Sequence, residues 1–168
     1  MKTVTIVDYD SEWPENFRAA AGELRAAFAG VPVLIEHVGS TSVPGLCAKP
    51  VIDILLGAQE LLQVEERTAA LTRLGYRYRP EYEVEIPDRR YFVRPGDGGP
   101  RIHLHAVAAG SPLWLSHLAF RDALRSDPQL AQQYSELKHR LAVAHADDRA
   151  AYTAAKAPFI ERVLAGSE

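Results

Sequence analysis

A single cysteine, Cys47, stands among the 168 residues. It cannot pair within the chain, which excludes a disulfide-stapled scaffold and a cysteine-built zinc site. No apolar run approaches the ~18–20 residues of a membrane span, and the opening Met1-Lys2-Thr3-Val4-Thr5 lacks the apolar core of a signal peptide. A cytoplasmic protein away from membranes is therefore expected. Charge of one sign is also not in excess. Nineteen Lys+Arg face 22 Asp+Glu, a formal net charge of −3, whereas a general nucleic-acid binder carries a strongly basic face. Repeats, low-complexity tracts and linkers are missing too. What is present is 47% hydrophobic residues, in a chain long enough to bury about 68–70% of its unfolded surface. One domain over residues 1–168 is expected.

The patterning predicts an α+β fold: a mixed β-sheet packed against several helices, with a helical C-terminal third. Phe17, Ala20, Ala21, Leu24 and Phe28 recur at three and four, marking an amphipathic helix from about Trp13 to Gly30. Stretches 31–38 and 51–56 read as apolar strands, and Leu61 to Leu74 as a helix closed by Gly75. Tyr76 to Ile86 reads as extended chain around a turn at Pro80. A hairpin from about Arg90 to Val107 turns at Pro95-Gly96-Asp97-Gly98-Gly99-Pro100. Ser111-Pro112, Asp127-Pro128 and Asp147-Asp148 are start signals for three further helices, the last kinked or restarted at Pro158.

The stretch His37 to Asp53 carries the chemistry. A strand ends in Gly39-Ser40-Thr41-Ser42, and a second strand returns with Asp53 embedded among Val, Ile and Leu. Glycine lets backbone approach a ligand closely, and adjacent amides with hydroxyls form a nest suited to phosphate. Lys49 adds a cation. A carboxylate among aliphatic residues is costly to bury without donors or a cation, so Asp53 marks a site. The blander reading is a Pro/Gly turn with Asp53 capping a nearby amide.

Gly39-Ser40, twelve intervening residues and then Asp53-Ile54 resemble the signature of the nucleotidyltransferase superfamily. Glu36-His37-Val38-Gly39-Ser40-Thr41-Ser42-Val43-Pro44-Gly45, Lys49-Pro50-Val51-Ile52-Asp53-Ile54 and His103-Leu104-His105 resemble the GrpB family, as do His117 to Asp122, Lys138 and Ala155 to Ile160. The resemblance covers nearly the whole chain. It implies a nucleotidyltransferase-like fold and a phosphorylated small-molecule substrate or nucleotide. Because some family members are fused to dephospho-CoA kinase, it also implies a functional link to that enzyme. In the family pattern Tyr152 and Lys156 recur together, which implies a wall of the cleft.

In the wider superfamily two carboxylates one residue apart hold magnesium. Here Leu55 stands at the second position, so that pair is half missing. His103 and His105, two apart on a strand, face one side. With Asp53 they form a candidate two-His, one-carboxylate site for a divalent metal (Mg, Mn or Zn), with imidazole favouring the softer ions. His37 is a candidate fourth ligand or acid/base. The histidines also serve equally well as hydrogen-bonding groups towards phosphate or Asp53. Arg90, with Arg94 on the same face, is a candidate phosphate ligand or a solvated edge-strand charge. Histidines 117, 139 and 145 read as core or surface residues, Arg121-Asp122 as a local ion pair, and Cys47 as inert. Three functions follow: a nucleotidyltransferase-like enzyme, a metal-assisted hydrolase or phosphoryl-transfer enzyme, or a non-catalytic nucleotide- or CoA-binding module in which Leu55 replaces the metal pair.

Overall fold

The computed structural model describes residues 3–166; Met1 and Lys2 of the opening pentapeptide and the last two positions of the expected domain lie outside them. Its centre is a five-stranded mixed sheet in the order β1-β2-β5-β4-β3. The strands are β1 (Val33–Val38), β2 (Val51–Ala58), β3 (Arg77–Tyr78), β4 (Arg89–Arg94) and β5 (Arg101–Ala108). Neighbours are antiparallel except β2 and β5, which run parallel and pair Asp53 with His103 and Leu55 with His105. The expected hairpin is β4–β5, one residue longer at each end.

Side chains alternate across the sheet, and the two faces have different fates. Ile52, Ile54, Leu56, Ile102, Leu104 and Phe92 form one face. They are buried under Trp13, Ala20 and Leu24 of α1 (Trp13–Ala27), under Phe28 at its C-terminal cap, and under Val64 and Leu71. Fully burying each such aliphatic side chain contributes about 1.5–3 kcal/mol, so this layer anchors the fold. On the opposite face an apolar cluster forms at one end, where Val38, Leu55 and Val107 meet Trp114 of α4 (Pro112–Ser126). Towards the start of β2 and β5 the same face carries Asp53, His103 and His105. A third cluster joins Val43 and Leu46, in the loop before β2, to Leu124, Tyr134, Phe159 and Val163. Those four belong to α4, α5 (Pro128–Ala144) and α7 (Ala157–Ala165). The helical third thus roofs the Gly-Ser loop.

The predicted start signals act as caps. Ser111 accepts from the Trp114 amide, Asp127 from Gln129 and Leu130, and Asp148 from Ala151 at the start of α6 (Arg149–Ala155); each is worth about 1 kcal/mol. Pro158 sits in the first turn of α7, restarting the helix. Two expectations are corrected. The helix over 61–74 is split into α2 (Leu61–Glu65) and α3 (Thr68–Arg73). At the break the Thr68 hydroxyl takes the Glu65 carbonyl at 2.8 Å, a side-chain bond that competes with helix continuation. The extended stretch after Tyr76 yields only the two-residue β3 before a 3₁₀ turn over Pro80–Glu83, because proline has no amide to donate to a ladder.

Candidate functional site

Asp53 is the centre. Its Oδ1 lies 3.0 Å from His105 Nε2 and 3.8 Å from His103 Nδ1. The parallel β2–β5 pairing brings them together, setting residues 50 and more apart in sequence side by side. Behind the imidazoles stand arginines. Arg101 Nε donates to His103 Nε2 at 3.0 Å, and Arg89 Nη1 lies 3.4 Å from His105 Nδ1. Tyr91, across from His105 on β4, packs against both rings. Burial alone would push the Asp53 carboxyl up. The bond from His105 and the electrostatic contributions of His105, His103 and Lys156 outweigh it and hold the group below the usual carboxylate range. Burial holds His103 down at about 4, with Asp53 pulling the other way.

Gly39 closes over this carboxylate. Its φ of 75° and ψ of −178° lie in a region essentially reserved for glycine, and a Cβ there would sit 2.5 Å from Asp53 Oδ2. The Gly-Ser loop then winds into a 3₁₀ turn over Ser40–Ser42. Of its hydroxyls, Ser42 Oγ donates back to the Gly39 carbonyl at 2.5 Å and Thr41 Oγ1 to the Val51 carbonyl at 3.1 Å. Those two shape the loop, while Ser40 lines the cleft beside Tyr134. His37 lies on the opposite face of the sheet from Asp53. It stacks on Phe17 with ring centroids 4.8 Å apart and reaches Thr41 Oγ1 at 3.0 Å, so it braces the loop from below. Burial pushes it down to about 4.

The remaining predicted residues divide. Lys49, Tyr152 and Lys156 do converge: both ammonium groups lie over the Tyr152 ring, at 5.0 and 4.8 Å from its centroid. Burial and the neighbouring Lys49 lower Lys156 to about 8. Arg90 does not join them. It points to the other face of the sheet, where its Nε meets Glu65 at 2.9 Å and its Nη1 donates to the Pro87 carbonyl; its neighbour Arg89 faces the site instead. The structure adds two groups that sequence reasoning set aside, His117 and Arg121, and one that it did not consider, Arg125. His117 of α4 has its ring 5.5 Å from that of His105. Arg121 is more than a local ion pair, since its Nη1 also holds Glu36 at 2.6 Å and the His37 carbonyl at 3.2 Å. Arg125 Nε donates to the Ser42 carbonyl at 2.9 Å. The signal available for His117 and Arg121 was their shared block, His117 to Asp122.

Asp53, His103 and His105, with Ser40, Tyr152 and Lys156, line a cleft of about 890 Å³, within the ordinary range for small-molecule sites. Seven Lys and Arg side chains, among them Lys49, Arg89, Arg101, Arg149 and Lys156, face it against two carboxylates, Asp53 and Glu85. In a chain of net charge −3, that is a local concentration of positive field. Tyr82, Ile86 and Tyr91 supply an apolar wall.

The divalent metal that the signature implies can be tested against this donor set. Among the described residues no group of three or more His, Cys, Asp or Glu side chains is arranged to hold a metal ion. Leu55, at the second carboxylate position, is fully buried against Val38, Val107 and Trp114. The imidazoles facing Asp53 are opposed across their rings by arginine donors, where metal-bound histidines ordinarily find acceptors. The residues do not fit a metal.

No helix among the described residues is long and apolar enough to cross a membrane. The family model of the GrpB protein matches residues 3–166. A UPF0157 protein of Pseudomonas aeruginosa is 39% identical over 96% of this chain and 66% of its own length. A UPF0157 protein of Bacillus subtilis is 34% identical over 95% of this chain and 46% of its own. The chain thus spans about half to two thirds of these curated relatives. The crystal structure of conserved protein GrpB from Enterococcus faecalis superposes with a TM-score of 0.87 at 34% identity, covering 97% of this chain and 96% of that one. Matched along its sequence and across its fold, the chain belongs to the GrpB family.

Proposed function

We propose that the cleft binds a phosphorylated small molecule, in the first instance a nucleotide. The observation that supports this best is the excess of Lys and Arg over carboxylates around a cavity of ligand size. Phosphate oxygens are met by cations that have no carboxylate of their own: among the described residues Lys49, Arg89, Arg101, Arg149 and Lys156 form no ion pair with Asp or Glu. Ser40 stands beside them, and Tyr82, Ile86 and Tyr91 offer an apolar surface to a ring. The Gly39-Ser40…Asp53 arrangement relates the site to nucleotidyl transfer. Leu55 favours binding without the two-metal reaction, and transfer to an acceptor is the second reading.

Thermal denaturation with ATP, CTP, CoA or inorganic phosphate at millimolar concentration tests the proposal. A bound ligand at a hundredfold excess over Kd stabilises by about 2.7 kcal/mol. The shift is expected with at least one of these ligands and should fall by half or more in Ser40→Ala combined with Lys49→Ala. No shift with any of them, or an undiminished one in the double variant, sinks the assignment. Release of pyrophosphate with an acceptor present would mark transfer; binding without turnover marks a binding module.

A further inference from the structure

We propose that Arg89 and Arg101 are positioning residues that lock His105 and His103 in the tautomers whose N–H groups face Asp53, and that the resulting array works without a divalent metal. A neutral imidazole offers one N–H and one lone pair. Guanidinium has only donors, so a ring nitrogen facing one must present its lone pair. Arg101 Nε claims His103 Nε2 at 3.0 Å, which leaves the proton on Nδ1, the nitrogen 3.8 Å from Asp53. Arg89 Nη1 faces His105 Nδ1 at 3.4 Å, which leaves the proton on Nε2, 3.0 Å from the same carboxylate oxygen. Two Arg–His arms thus converge on Asp53 Oδ1.

A metal bound between Asp53 and the histidines would need lone pairs on the two nitrogens that carry protons here. Both rings would have to become anionic, or both arginines would have to withdraw. Arg89 is poorly placed to withdraw, since its guanidinium lies over the Tyr91 ring at 4.6 Å. The same arrangement explains why a lone carboxylate is tolerated on this strand. Asp53 is an ionised acceptor fixed from one side by His105, with its second oxygen against Gly39. The inference concerns the cleft described above but needs none of its ligand assignment, so either can fail alone.

The test uses the protein without ligand. Long-range ¹H–¹⁵N spectra at neutral pH should show His105 protonated on Nε2 and His103 on Nδ1; the opposite tautomer at either ring overturns the proposal. Titration with Co(II), followed by its visible absorption, should give no bands that depend on Asp53. Bands present in the native protein and lost in Asp53→Asn overturn it too. In Arg89→Met and Arg101→Met the tautomer of the facing histidine should become mixed, while Arg89→Lys and Arg101→Lys should restore it. Unchanged spectra in the Met variants would deny the arginines their role. If the Met variants fail to fold, the native spectra and the Co(II) titration still decide.

Discussion

Gly39→Ala should lower the stability of the protein by about 3–5 kcal/mol, the sum of a backbone term and a steric one. The backbone sits at φ 75°, ψ −178°, where any side chain is strained. The new methyl would meet Asp53 Oδ2 at 2.5 Å and Asp53 Cβ at 3.0 Å, and that residue is held from the other side by His105. Neither neighbour can give without breaking the site. Gly45 provides the comparison: φ is +80° there, but a Cβ would meet nothing within 4 Å. Gly45→Ala should therefore carry only the backbone strain, about 1–2 kcal/mol. Urea midpoints at constant m-value measure both. Combining Gly39→Ala with Asp53→Ala removes the closest clash, with the carboxyl group, and leaves only the 3.0 Å approach to the Cβ of residue 53, so the pair should be less destabilised than the two single losses added together. Equal losses at Gly39 and Gly45 would show that contact with Asp53 is not what demands glycine.

Lys138 gives the second large effect, this time with pH. Its side chain is 2% exposed, with Nζ donating to the Cys47 carbonyl and lying 4.9 Å from the Tyr134 ring centroid. Burial lowers the ammonium from 10.5 to about 8. The unfolded chain therefore holds this proton more tightly than the folded one. Below pH 8 the folded state carries the full penalty of a buried charge, and the penalty fades as pH rises from 8 towards 10.5. At 1.36 kcal/mol per pKa unit the lysine withholds on the order of 3 kcal/mol at neutral pH. Lys156, also lowered to about 8, acts in the same direction. Above pH 10 buried tyrosines such as Tyr152, pushed up to about 12 by burial, oppose the trend, because the unfolded chain ionises first. Stability should accordingly rise between pH 8 and 10. In Lys138→Met the rise should flatten, and stability at pH 7 should gain about 1 kcal/mol, the charge penalty less a lost bond of about 1–3 kcal/mol to Cys47. Urea melts at pH 7, 9 and 10 would show it. An unchanged slope in the variant would mean that Lys138 is not the group titrating.

Most of the framework could be read from local pattern. The spacing of Phe17, Ala20, Leu24 and Phe28 encodes α1, the caps at Ser111, Asp127 and Asp148 encode the helical starts, and the Gly-Pro turn encodes the β4–β5 hairpin, because each depends on residues within a few positions. The segment 61–86 was less legible. There the helix break at Thr68 and the short β3 depend on side-chain-to-backbone bonds that compete closely with regular structure. Within the site, Asp53, His103 and His105 stood out as polar residues at even spacing in apolar strands, and the structure brings them into contact. The sides taken by His37 and Arg90 were not legible, since strand alternation says which residues share a face but not which face meets the cleft.

From the sequence alone came the α+β class, the Gly-Ser loop, the single carboxylate with Leu55 in place of a second, and the absence of a thiol-built site. The tertiary structure decided everything that depends on register. The parallel pairing of β2 with β5 sets two histidines against Asp53, and the antiparallel pairing of β4 with β5 puts Arg89 rather than Arg90 behind them. Shifting either pairing by one residue would turn every side chain of the strand to the other face. Charge followed the same rule: a chain of net −3 becomes a cationic cleft only because folding gathers distant Lys and Arg around one pocket. The field at a point depends on distance in space, and the order of residues along the chain does not set it.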